Sequence, residues 1–398
     1  MSSGRSPGVS VGNPPFSGKI LCAPDSFKGT LTSIEAAEAM VQGVQDVWPD
    51  AQVRLLPLAD GGEGSLDVLH GAAGGVLHQA VVEGPLGLPV DARWLELPDR
   101  VAVVEMAQAA GLLLVPPEER NPESASTYGV GQLIRAAIDN GASAVIICLG
   151  GSATTDGGAG MAEALGFRLP DRHGQTIPRG GAGLKDLDHI DDSAVHSGVR
   201  SVRFIAATDV TNPLCGLRGA AAIFGPQKGA DPAAVARLER GLQQLAGVIA
   251  KDRRINVLEI AGGGAAGGLG AGLVGFLNAS VQSGAETLMD AAGLDEALRQ
   301  ASLCITGEGR IDSQSASGKL LVQLAMRCKQ NGVPLIAIGG TVSADSRALG
   351  NDLFQGLLSA TKESGPMPAT QDEAARRLRE TTADACRLIR LGSKLASR

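Results

Sequence analysis

Hydrophobic positions run along the chain in two rhythms. The apolar stretch "KILCAP" (19–24) is followed by "TSIEAAEAMVQGVQDVW" (32–48), in which Ile34, Ala37, Val41, Val44 and Trp48 recur at helical spacing on one face. Thr32 with Glu35 three residues later predicts a capping box, which marks the helix start. The strand-like "QVRLLPL" (52–58) and the helical "EGSLDVLHGAA" (63–73) extend a strand, helix, strand, helix order, the opening of a βαβ chain.

Near residue 76 the rhythm changes. "GVLHQAVVEG" (75–84), "LPVDARWLEL" (88–97) and "VAVVEMAQ" (101–108) are short runs punctuated by Gly and Pro with no helix between them, which predicts antiparallel pairing. A helix over 130–140, the apolar strand "AVIICLG" (144–150), a helix after Asp156, a polar loop over 166–200, the strand "VRFIAAT" (202–208) and a helix over 231–250 follow. From about residue 302 the βαβ rhythm returns with "SLCIT", a helix through "LLVQLAMRCKQNG" and the strand "VPLIAIGG". The stretch "TQDEAARRLRETTADACRLIRL" (370–391) reads as a capped amphipathic helix. The expected fold is α/β: a parallel-sheet domain from 19–84 plus 286–398, interrupted by a second α/β domain with a mixed sheet over 85–285. Residues 1–18 are expected to form a disordered tail, and a substrate cleft is expected between the two domains.

Composition narrows the function. Hydrophobic content of 44% and charge of 19% over 398 residues are those of a globular protein. The 55 glycines are roughly twice average usage while aromatics are only 3%, so chemistry is expected in Gly-rich loops and not on aromatic stacking platforms. A net charge of -7 gives no general attraction to nucleic acid or to an anionic membrane, so neither is expected as a partner. The six cysteines are far apart, with no C-x-x-C and no Cys/His cluster at metal spacing, and read as buried free thiols. The opening residues lack an apolar core of signal-peptide length, and the long uncharged stretch "AGGGAAGGLGAGLVGFLNAS" (261–280) is mostly Gly and Ala, which suits a packed or ligand-facing segment better than a membrane span. A cytoplasmic location is expected.

Ligands of open parallel sheets bind beyond the carboxyl ends of the strands. Five apolar runs end in a small-residue turn that carries an acid: "APDSFKG" (23–29), "LADGGEG" (58–64), "LGGSATTDGG" (149–158), "ATDVTNPLCG" (207–216) and "TGEGRID" (306–312). Any one of these acids could be a helix cap, but capping alone does not account for all five. The cations near them are few: Lys28, Arg310, Lys319 and, in "FGPQKGA" (224–230), Lys228. Carboxylates without His or Cys at ligand spacing suit Mg²⁺ carried on substrate phosphates, and the mixture of acids, glycine turns and isolated lysines fits phosphoryl transfer.

Competing motifs are weaker. Gly318-Lys319 resembles the end of a P-loop, yet the first glycine of that motif would fall at Ser313, and Leu320 follows the lysine. "GGGAAG" (262–267) matches G-x-G-x-x-G, which keeps an NAD(P)-dependent oxidoreductase as an alternative, although no strand-like run precedes Glu286 where a second strand should end. Ser152 lacks the G-x-S-x-G context of a nucleophile, and the five histidines read as surface residues.

Seven stretches in order, "APDSFKGTLT", "PLADGGEG", "GGSATTDGGAGM", "TDVTNPLCG", "FGPQKGA", "GAAGGLGAGL" and "TGEGRIDSQSASGK", resemble the type I glycerate kinases, a bacterial family that phosphorylates D-glycerate with ATP. The resemblance covers Lys19 to near the C-terminus and implies a Rossmann-like domain interrupted by a second α/β domain. The chain departs from the family pattern at Thr155, where Asn is expected, and after Lys319, where a Pro is expected. On this resemblance the expected reaction is in-line attack of a glycerate hydroxyl on Mg-ATP, with Asp209 as base and Asp156 as its alternate. Lys28 would stabilise the moving phosphoryl group. Asp25, Ser26, Arg310, Asn212 and Ser152 are expected to bind substrate, with Arg310 clamping its carboxylate. Gly61, Gly62, Gly307, Gly309 and Lys319 are expected at the nucleotide, and Asp60, Glu308 and Asp312 at Mg²⁺. The 2-phosphate product is favoured, a non-catalytic sugar-acid sensor is a further alternative, and assembly as a homo-oligomer is left open.

Overall fold

The structure is a computed structural model that describes residues 16–312, 320–343, 346, 353–361 and 370–396. It falls into two compact units, one drawn from Met1–Leu56, Asp295–Ala316 and Leu324–Arg398, the other from Pro57–Leu294 and Ser317–Gln323.

The first unit is built on five strands, β1 (Lys19–Cys22), β2 (Gln52–Leu55), β9 (Leu303–Ile311), β10 (Leu335–Val342) and β11 (Gly356–Ser359). They lie in the order β11-β10-β9-β1-β2, and every pairing is parallel. From β1 the chain moves outward to β2, whereas from β9 it moves the other way to β10 and β11. The topological switch point therefore lies between β1 and β9. Helix α1 (Ser33–Gln45) begins with the capping box read from the sequence: Glu35 N–H donates to Thr32 Oγ1 at 3.2 Å, and Thr32 N–H donates to Glu35 Oε2 at 2.8 Å. Its buried face, including Ala36, Met40 and Val44, packs with Leu378 and Cys386 of the C-terminal helix Gln371–Ala396 and with Ile20 and Ile305 of the sheet.

"TGEGRI" is not a turn after a strand, because β9 continues through it and pairs with β10 from Cys304↔Leu335 to Ile311↔Val342. Gly307 is required for that close approach: a Cβ there would lie 2.3 Å from the Ile338 carbonyl oxygen. β11, only four residues long, went unread in the sequence.

The second unit carries six strands in sequential order, β3 (Val76–Glu83), β4 (Pro89–Leu97), β5 (Val101–Glu105), β6 (Ala144–Cys148), β7 (Arg203–Ala207) and β8 (Ser280–Gln282). β3, β4 and β5 pair antiparallel, as their pattern predicts, and β5 to β8 pair parallel, so this sheet is mixed. Helix α2 (Ser65–Ala73) packs on β4 and β5, so residues from Pro57 onward group with this unit, ahead of the boundary expected at 85.

The Gly/Ala-rich segment is the helix Ala265–Leu277, buried along almost its whole length. Its glycines let backbones touch: a Cβ at Gly272 would sit 2.2 Å from the Gly157 carbonyl oxygen. Among the described residues no helix is long and apolar enough to cross a membrane. The G-x-G-x-x-G match lacks its context, since residues 254–261 ahead of it form no strand. The reading that no strand follows it is corrected, because β8 is there, hidden by its length of three residues. His78 is also not a bare surface residue: it stacks on Trp94 with ring centroids 4.1 Å apart and meets Glu96 at 2.8 Å.

Candidate active site

In the first unit the structure brings "APDSFKG" and "TGEGRID" together at the switch point. Ala23 N–H donates to the Ile305 carbonyl at 2.8 Å, Asp25 N–H to the Gly307 carbonyl at 2.9 Å, and Thr306 Oγ1 to the Ala23 carbonyl at 2.7 Å. β9 runs on past the end of β1, and Gly309 lies so close to Phe27 and Lys28 that a Cβ would be 3.3 Å from the Lys28 nitrogen. Ser26 N–H donates to Asp25 Oδ1 at 2.6 Å. Lys28 and Arg310 are exposed, Glu308 is half-buried, and Arg310 Nε meets Asp312 Oδ2 at 3.0 Å. Lys319 lies outside the described residues.

In the second unit three loops converge at the carboxyl ends of β6 and β7. Gly150 N–H donates to the Gly61 carbonyl at 3.2 Å, and a Cβ on Gly150 would strike Gly62 Cα at 2.5 Å. Gly61 takes φ +87°, a left-handed conformation that favours glycine. A Cβ on Gly284 would sit 2.5 Å from the Asp60 carbonyl oxygen and 3.4 Å from Asp209 Oδ2, so Asp60 and Asp209 are neighbours across that glycine.

The acids differ in what holds them. Exposed Asp209 accepts from Ser283 Oγ at 2.7 Å, Gly284 N–H at 3.0 Å and Ala285 N–H at 3.1 Å, at the start of the helix Gly284–Ala291. Asp60 Oδ1 accepts from Gly62 N–H at 2.9 Å. Asn212 uses its amide within its own loop, donating to the Arg218 carbonyl at 2.7 Å. Asp156 is fully buried, and it accepts from Thr127 N–H and Oγ1, both at 2.8 Å, from Gly158 N–H at 3.1 Å and from Gly160 N–H at 3.2 Å. Burial pushes the Asp156 carboxyl up, and those four hydrogen bonds oppose the rise.

The profile of the glycerate kinase family matches residues 20–390. The chain belongs to the glycerate kinase family. It is 45% identical over 356 residues to the glycerate kinase of Halalkalibacterium halodurans, covering 89% of this chain and 93% of the relative. It is 43% identical to the glycerate kinase of Bacillus subtilis strain 168, covering 95% and 99%. It is also 43% identical to the glycerate 2-kinase of Escherichia coli strain K12, covering 90% and 93%. A crystal structure from Salmonella typhimurium LT2 ascribed to glycerate kinase 2 superposes with a TM-score of 0.85 at 41% identity, over 95% of this chain and all of that one.

One group in this family member, Glu105, escaped the sequence reading, and for a second, Lys228, only its setting did. Glu105, at the carboxyl end of β5, is buried and accepts from Gly64 N–H at 2.9 Å and Leu66 N–H at 3.3 Å, tying the "ADGGEG" loop to the sheet. Burial raises its carboxyl to about 7, against those two amides and with the charges of Glu63 and Asp67 adding to the rise. The signal was present, because "VAVVEMA" is a sixth apolar run ending in an acid. Lys228 was noted as a cation near the acidic turns, but no spacing rule gives its burial. It is 1% exposed, with Nζ 2.7 Å from Ser152 Oγ and 2.6 Å from the Thr154 carbonyl oxygen. Thr155, where the family pattern led us to expect Asn, has a buried hydroxyl with no hydrogen-bond partner among the described residues.

For a magnesium ion the donor type fits, since the candidate acids Asp60, Glu308 and Asp312 offer oxygen alone, although among the described residues no three His, Cys, Asp or Glu side chains lie together as a ready-made metal site. An ion that keeps its waters and arrives on a triphosphate needs only one or two carboxylates.

Proposed function

We propose that this chain transfers the γ-phosphoryl group of ATP to a hydroxyl of D-glycerate, giving phosphoglycerate, with the 2-position favoured. The observation that carries the reading is the placing of paired motifs at strand ends: acid, glycine and lysine flank the switch point of the parallel sheet, and in the mixed one the Asp60 main chain and the Asp209 carboxylate flank Gly284. Kinship supports it, and the relative named glycerate 2-kinase favours O2 as acceptor.

On this reading Asp209 takes the proton of the attacking hydroxyl, its direction fixed by Ser283 and the first amides of the helix Gly284–Ala291. Asp156 is the weaker candidate, since a fully buried carboxylate with four donors would have to give one up to act. The proposed substrate contacts are Ser152 and Asn212 in the mixed-sheet unit and, separately, Asp25, Ser26 and Arg310 in the parallel-sheet unit, where exposed Lys28 is assigned to the transferred phosphate. The backbones of Gly61, Gly62, Gly307 and Gly309, with Lys319, are assigned to the nucleotide. Asp60 in the mixed-sheet unit, and Glu308 and Asp312 in the parallel-sheet unit, are each proposed as an oxygen ligand for Mg²⁺, which when bound would offset triphosphate charge. We place the reaction in the cytoplasm.

Incubating the protein with glycerate, Mg²⁺ and either ATP or NAD(P)⁺ tests the reading directly. ADP with phosphoglycerate is expected, reduced nicotinamide would favour the oxidoreductase, and neither product would favour the sensor. Replacing Asp209 by Asn should lower kcat roughly 10²- to 10⁴-fold with a smaller change in KM, and near-full turnover would move the role to Asp156.

A further inference from the structure

The strongest feature not absorbed by that reading is a lysine inside the protein. Lys228 ends the turn Pro226–Lys228, and its whole side chain is enclosed. Its Nζ donates to Ser152 Oγ at 2.7 Å and to the Thr154 carbonyl at 2.6 Å, and the charged group that acts on it among the described residues is Asp156. An ammonium taken out of water costs several kcal/mol, and an apolar side chain of similar volume would fill the space without that cost. Packing therefore gives no reason for a lysine at this position.

Ser152 gives one. Lys228 can only donate to it as an ammonium, so the hydroxyl oxygen is used as an acceptor and its own O–H is left to donate. No acceptor for that O–H occurs among the described residues, and the hydroxyls of Thr154 and Thr155 in the same loop also lack partners. Ser152 itself is 8% exposed, next to exposed Gly151, at the carboxyl end of β6. Its backbone is clamped on both sides, by Leu112 N–H to the Gly151 carbonyl at 2.7 Å and Ala153 N–H to the Ala110 carbonyl at 2.9 Å.

We propose that Lys228 is a positioning residue that turns Ser152 into an obligate, charge-backed donor for an anionic oxygen of the substrate, either the acid's carboxylate or a phosphoryl oxygen. The inference rests on the kinase reading and deepens it, by naming what fixes Ser152 and which chemistry that hydroxyl selects. Burial lowers the Lys228 ammonium to about 7, while Asp156 pulls the other way. Anion affinity should accordingly weaken as pH rises through about 7, as the charge behind Ser152 is lost.

The test compares wild type, Lys228→Met, Ser152→Ala and the double variant, with KM for glycerate and for ATP measured from pH 6 to 9. Each single variant should raise KM for one substrate by about ten- to hundredfold with a smaller change in kcat, the scale of a lost hydrogen bond to a charged partner. A rise for glycerate assigns the contact to the carboxylate, and a rise for ATP assigns it to the phosphoryl oxygen. The double variant should be no worse than either single one, and Ser152→Ala should lose the rise of KM with pH. Unchanged KM values, additive losses or an unaltered pH profile would overturn the proposal and leave Lys228 a structural residue. If Lys228→Met fails to fold, Ser152→Ala decides through its pH profile, since it removes one hydroxyl only.

Calorimetric binding of glycerate and of inorganic phosphate keeps this inference apart from the kinase reading. A wild type that binds either anion through Ser152 but forms no ADP sinks the kinase reading alone. A wild type that binds neither sinks the inference.

Discussion

The two units solve the problem of charge in opposite ways. Among the described residues the parallel-sheet unit buries no Asp, Glu, Lys or Arg, and its buried polar side chains are hydroxyls such as Thr306 and Thr382 and thiols such as Cys22. Ion pairs such as Asp46 with Arg379 and Glu373 with Arg377 lie at its surface, where such pairs contribute little. The mixed-sheet unit buries Glu105, Asp156 and Lys228, each bonded to the loop that follows or faces a strand end. Buried charge is tolerated only when it is hydrogen-bonded, and in return it fixes its partners in one geometry. In the first unit the candidate loops are held by sheet pairing, as Gly307 is by β10, whereas in the second they are held by buried ionisable side chains.

The largest expected break in that contrast is Asp156→Ala. It would leave Lys228 without its opposing charge and strip the acceptor from Thr127 and from the amides of Gly158 and Gly160. We expect a loss of about 3–5 kcal/mol in urea unfolding. A loss no greater than that of an exposed acid in the same unit, such as Asp186→Ala, would mean that the buried network does not hold the loops.

Glu105 sharpens the contrast through pH. Its carboxyl is raised from 4.5 to about 7 in the folded chain, so its contribution to stability is fully present below pH 4.5 and is lost as pH rises through about 7. The full loss is on the order of 3 kcal/mol, since each tenfold change in proton affinity is worth about 1.4 kcal/mol. Glu105→Gln should remove that slope, so the stability difference between wild type and variant should move in the variant's favour between pH 4.5 and 7. Unfolding curves at several pH values would show it, and parallel curves for the two proteins would count against a neutral, buried Glu105.

Much of this was legible in the sequence, and what was missed shares a cause. Periodicity gave the long helices and apolar strands, the βαβ openings, the antiparallel middle and the capping box, because each is written in neighbours a few residues apart. β8 and β11 are too short to show a period. "TGEGRI" reads as a turn by its glycines, and only pairing with β10, some thirty residues on, makes it a strand. The acids at strand ends were visible as residue types, but their partners were not. Asp156 is saturated by Thr127, 29 positions away, and Lys228 is buried against a loop 76 positions away. Glu105 needed only the strand-end rule applied to one more run.

The smallest expected effect tests the first unit's side of the comparison. If that unit depends on local structure and apolar packing, removing a local device should cost a local amount and carry no trace in the chemistry. Thr32 is such a device: its hydroxyl accepts from Glu35 N–H at the start of helix α1, while Glu35 reaches back to the Thr32 amide. Thr32→Ala removes the acceptor and leaves the Glu35 amide to water, at a cost of about 1 kcal/mol. The loss should be the same at pH 5 and pH 8, since Thr32 carries no titrating group, and KM for glycerate and for ATP should not move. A pH-dependent loss, or one as large as that of Asp156→Ala, would mean that the helix start is coupled to a buried charge, and the contrast between the two units would fail from its simpler side.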